Sequence, residues 1–154
     1  MKLLLKDILF FIIGCSLYLM IEIFFRGYSF RLMGIAGGLI FLIGSKLNDW
    51  FSWDMDLLLQ CLVIALLVTL LEAIIGNIDY YYLHLNMWNY NNLPLHFLNG
   101  KICVGFSCIW FLFGFPIVIL ADCIDYYWLH TNERPYYRIF KWKFKLPRRK
   151  NIYE

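Results

Sequence analysis

Residues 57–75 read LLLQCLVIALLVTLLEAII, a run in which Glu72 is the single charged side chain. A helix rises about 1.5 Å per residue, so a stretch of this length crosses the roughly 30 Å hydrocarbon layer of a bilayer. Three further stretches have the same character: Ile8 to Phe25, Phe30 to Leu47 and Ile102 to Ala121. The 62% apolar composition agrees, because soluble domains run nearer about 45–50%. The expected fold is all-α, a polytopic membrane protein built as a four-helix transmembrane bundle. Its domains are the membrane unit 1–121, with spans 8–25, 30–47, 57–75 and 102–121, and a cytosolic basic and aromatic tail over 122–154. The second span is glycine-rich (Gly34, Gly37, Gly38, Gly44) and follows a tight turn at Gly27, so it also admits a partly re-entrant reading.

Lys and Arg concentrate on the cytoplasmic side of membrane proteins. Eleven of them fall on the side of the chain termini and three (Arg26, Arg31, Lys101) on the other. This predicts a multi-pass cell-membrane protein with both termini in the cytosol. Trp50, Phe51 and Trp53 then mark the inner interface, and Tyr80 to Tyr82 with Trp88 the outer one. The stretch before Cys15 loosely resembles a lipoprotein signal, but Asp7 interrupts its apolar run and the sequence stays membrane-like to Phe25.

Intramembrane charges are costly and face the interior of a bundle or a watery cavity. Glu22 and Glu72 stand about 21–23 Å above the starts of their helices, and Ser107 lies about 8 Å below the outer end of its own. These three share one level with the glycines of the second span. Arg26 follows Glu22 by one turn, where opposite charges pair, which leaves Arg31 for Glu72. The layer Glu22, Arg26, Arg31, Glu72 and Ser107 is therefore either a set of packing ion pairs or a site for a cation, proton or polar solute. The outer loop around Trp88, Asn89, Tyr90, Asn99 and Gly100 reads as an interfacial cap or a lid over it.

The five cysteines have no CxxC spacing and read as buried thiols, and His84 and His96 lack placed partners, so no metal site and no cofactor motif is visible. No nucleophile with a neighbouring base can be assembled, which argues against an enzyme. In the tail, basic residues alternate with aromatic ones from Tyr136 to Lys145, a pattern suited to anionic lipid at the bilayer surface; without a folded platform it does not suit nucleic acid.

The runs Phe25-Arg26-Gly27-Tyr28-Ser29, Thr69-Leu70-Leu71-Glu72 to Gly76, Met87-Trp88-Asn89-Tyr90, and Asn99-Gly100-Lys101-Ile102-Cys103-Val104-Gly105-Phe106-Ser107 through Trp110 resemble the small bacterial ABC transporter type IV, or CmpB-like, permeases. That resemblance covers most of residues 15–121. It implies a permease subunit of unknown substrate, alone, as a homo-oligomer, or with a separate ATPase subunit. This chain has no phosphate-binding glycine loop, so it is not itself the ATPase. It carries Asn89 and Asn91 where the family pattern has an acid and a hydroxyl, which puts acid chemistry by that loop in doubt. The alternative is a non-transporting scaffold or regulator acting through its bundle and tail.

Overall fold

The computed structural model describes residues 2–130 and 133–149; Lys150 and the rest of the chain end, counted above with the basic tail, lie outside them. Four α-helices form the bundle: α1 Lys2–Arg26, α2 Arg31–Trp50, α3 Leu57–Ile78 and α4 Val104–Cys123. All four are long and apolar enough to cross a membrane. The second is an unbroken helix. One end of the bundle holds the start of α1 and is called here the terminal end; the other holds the 79–103 loop and is called the loop end. Along α3 the residues facing α4 run backwards, with Gly76 against Lys101, Thr69 against Ser107 and Cys61 against Gly114, so the two helices are antiparallel.

Small residues set the α1–α2 contact. A Cβ on Gly38 would stand 2.8 Å from the Phe11 ring, and one on Gly37 2.8 Å from Cγ of Tyr18, so only glycine lets these backbones approach so closely. The core fills with Ile40, Leu47, Leu57, Cys61, Ile64 and Val118 between α2, α3 and α4, and with Phe10, Phe41 and Ala121 where α1 joins. Outward-facing apolar side chains such as Phe24, at 86% exposure, find their solvent in lipid.

The ends differ from the sequence expectation at every span: α1 already begins at Lys2 and α2 runs on to Trp50. Helix α3 continues past Ile75 to Ile78 and then winds one wider π turn over Asp79–Leu83; α4 likewise passes Ala121 and ends in a π turn over Ile124–Leu129. Ile102 and Cys103 are not helical: they form strand β2, antiparallel to β1 at His96–Phe97. The supposed tail is a folded hairpin, β3 Tyr136–Ile139 against β4 Trp142–Lys145. Its alternation of aromatic and basic residues is the period-two pattern of a strand with two unlike faces.

The hairpin docks on the bundle with contacts from both of its faces. Tyr137 is fully buried in the core, Trp53 stacks on Tyr136, and Asp56, which caps α3 through the Leu58 amide, also accepts from the Phe140 amide at 2.6 Å. Lys143 pairs with Asp54 at 2.7 Å, and its hydrogen bond holds the Asp54 carboxyl below the usual carboxylate range. Phe140 and Trp142 stay exposed.

Candidate functional site

The loop-end site is assembled by three elements. From α3 comes Glu72, which is buried. From α4 comes Trp110, whose Nε1 donates to Glu72 Oε1 at 3.1 Å. From the loop comes Tyr90, whose ring stacks on Phe106 with centroids 4.5 Å apart and whose hydroxyl donates to the same Oε1 at 3.0 Å. Burial and the Glu72 carboxylate both push the Tyr90 hydroxyl above its ordinary pKa, which keeps it a donor. Glu72 Oε2 is buried and has no hydrogen-bond partner among the described residues. Tyr18 of α1 closes the fourth side, its ring 6.2 Å from that of Trp110.

The polar layer therefore divides. Glu22 pairs with Arg26 at 2.9 Å and accepts from the Ser29 hydroxyl, while Arg26 also donates to the Met87 carbonyl at 2.8 Å. Arg31, by contrast, is exposed, and no ion pair joins it to Glu72 among the described residues. It opens α2 at the loop end, where its long side chain reaches the polar boundary instead of the bundle interior. Ser107 bonds Thr69 at 2.9 Å, one turn from Glu72 on the same helix, and donates to the Cys103 carbonyl.

Residues of the outer loop build its frame. Asn89 Oδ1 accepts from the Asn91 amide at 2.8 Å, closing an Asx turn, and the Tyr90 amide bonds the Gly100 carbonyl at 2.7 Å. Gly100 has φ +74°, and a Cβ there would stand 2.6 Å from Asn89 Oδ1, so this reversal needs glycine after Asn99. The two asparagines are thus turn formers. An open cleft of about 450 Å³ lies beside them, lined among others by Asn86, His96 and Asn99, but Glu72 does not line it.

Sequence reasoning missed the pair that anchors this loop. Asp79 is wholly buried; its carboxylate accepts from the Leu85 and Met87 amides and from Lys101 Nζ, each at 2.9 Å. Lys101 also donates to the Trp88 carbonyl at 2.8 Å, and Trp88 Nε1 returns a bond to the Lys101 carbonyl at 2.9 Å. Gly76, one turn before Asp79, makes room for the lysine stem.

A second buried carboxylate lies at the terminal end. Asp122 Oδ2 accepts from Asn48 Nδ2 at 2.8 Å and from the Tyr137 hydroxyl at 2.9 Å, and Asn48 accepts from Gln60 at 3.1 Å. Burial and Asp122 push the Tyr137 hydroxyl above its ordinary pKa. Lys6 and Asp125 pair beside it at 2.6 Å.

The family model described as Putative ABC-transporter type IV matches residues 7–142, which takes in α1 from Asp7, the other three helices whole and both hairpins up to Trp142. The chain belongs to that family. Among curated proteins and among solved structures nothing matches it. As a member of the Putative ABC-transporter type IV family with four apolar helices, it is a multi-pass membrane protein. The matched stretch contains Glu72, Asp79, Lys101 and Asp122 alike.

Proposed function

We propose that this chain is the membrane-embedded subunit of a transport system, set in the cell membrane with both termini cytosolic, in which Glu72 takes up the proton or cation that moves or couples to movement. One observation carries the reading. Glu72 is a buried carboxylate that no lysine or arginine pairs among the described residues, and one of its oxygens lacks a hydrogen-bond partner there. A packing residue gains nothing from such an arrangement, since burying an unpaired charge in a bilayer costs several kcal/mol. Glu22, discharged by Arg26, is a packing residue by the same standard. An ATPase partner would dock at the terminal end, on the 51–56 loop and the hairpin that binds it.

Reconstituted protein is the test, with proton and cation flux compared between wild type and Glu72→Gln. The variant keeps the acceptor for Tyr90 and Trp110 but cannot ionise, so flux is expected to vanish while folding survives. Equal flux in both, or none in either with normal folding, goes against the reading. A scaffold or regulator is the second reading, favoured by the exposed Phe140 and Trp142 flanking Lys141 at the hairpin tip, a surface suited to anionic lipid. On that reading Glu72→Gln changes stability alone.

A further inference from the structure

The two ends of the bundle are closed by the same device. Residues 78–86 read IDYYYLHLN and residues 124–132 read IDYYWLHTN, a match broken only at Tyr82/Trp128 and Leu85/Thr131. The described parts have one shape. In each, a helix ends in a π turn, and a left-handed histidine stops it, His84 at φ 52° and His130 at φ 54°, each amide returning to the aspartate carbonyl. In each the aspartate is buried and paired with a lysine, Asp79 with Lys101 and Asp125 with Lys6. Each is followed by a two-stranded hairpin. Each cap sends a tyrosine hydroxyl to a buried carboxylate, Tyr90 to Glu72 and Tyr137 to Asp122.

Since α3 and α4 are antiparallel, these like units lie at opposite ends, as in inverted-topology repeats. We propose that residues 57–103 and 104–149 are such a repeat, and that their caps are the two gates of one path, each held shut by its buried lysine–aspartate pair. The gating role rests on the transport reading; the repeat does not. Opening the loop-end cap withdraws Tyr90 from Glu72, and opening the terminal-end cap withdraws Tyr137 from Asp122. Trp110, at the level of Glu72, precedes Asp122 on α4 by a rise of about 18 Å, so the carboxylates face opposite sides.

Helix α1 ties the two gates together. Lys6 holds the terminal-end cap, and Arg26, at the other end of the same helix, holds the loop-end cap through the Met87 carbonyl. Helices α1 with α2, and α3 with α4, pack more extensively than either pair does against the other. Rocking of one pair on the other then loads one of these two α1 ties while it slackens the other.

Thiol labelling in sealed vesicles tests this without measuring transport. Cys103 lies buried beside the loop-end cap and Cys123, part-buried, beside the terminal-end cap. A membrane-impermeant maleimide is added from either side and both cysteines are read by mass spectrometry. Lys101→Met is expected to speed Cys103 labelling from one side on the order of a hundredfold and leave Cys123 unchanged, and Lys6→Met to do the reverse. Asp79→Asn and Asp125→Asn keep shape and an acceptor, and are expected to show the same one-sided pattern at about tenfold, so a misfolded lysine variant leaves the test intact. Unchanged labelling, a response at one cap only, or both cysteines opening together in the asparagine variants overturns the proposal. Loss of flux in Glu72→Gln with no one-sided labelling would sink the gates and spare the transport reading; the opposite outcome would spare the repeat.

Discussion

Replacing Lys101 with methionine is expected to destabilise the protein by about 3 kcal/mol, the low end for a broken buried ion pair because the loop end of the bundle lies near water. The cost comes from Asp79, which stays buried with a charge that only the Leu85 and Met87 amides still contact. Adding Asp79→Asn to Lys101→Met removes that charge and keeps one acceptor, so roughly half of the loss is expected to return. Thermal denaturation in detergent measures both. A Lys101→Met protein within about 1 kcal/mol of wild type would show that the pair does not anchor the loop.

Asp122 offers the second large effect, and its sign depends on the replacement. Asp122→Ala strands two buried donors, Asn48 Nδ2 and the Tyr137 hydroxyl, at about 1–3 kcal/mol each, and is expected to cost about 2–6 kcal/mol in all. Asp122→Asn keeps a carbonyl oxygen for both and removes a charge that no cation offsets in the bonds described, so it is expected within about 1 kcal/mol of wild type. Limited proteolysis reads the same event locally, since release of Tyr137 frees the hairpin for cleavage near Phe140. Equal stability of the alanine and asparagine variants would mean that Asp122 does not hold the hairpin.

The four spans are legible in the sequence because bilayer thickness imposes a length and lipid imposes an apolar surface, both of which are local properties of the chain. The Glu22–Arg26 pair is legible for the same reason, being one helical turn apart. Glu72 stood out as an intramembrane charge, but its partners did not, since Tyr90 and Trp110 lie 18 and 38 residues away and only the fold brings them to one oxygen. Arg31 looked like the natural counterion by depth alone, and depth says nothing about direction around a helix. Asp79 and Asp125 did not stand out, because each partner lysine comes from another segment. The hairpin over 136–145 was hidden by an ambiguity of pattern: alternating rings and cations suit a lipid surface and a half-buried strand equally well.

The most direct measurement of the central claim is modification of Glu72 by an apolar carbodiimide, which reaches carboxyl groups from within the bilayer and reacts with those that exchange protons there. The account predicts that Glu72 is labelled selectively over the Arg26-paired Glu22, that labelling abolishes flux, and that the transported cation slows it. Labelling of Glu22 and Glu72 alike, or a Glu72 that resists the reagent whatever the cation present, would contradict it.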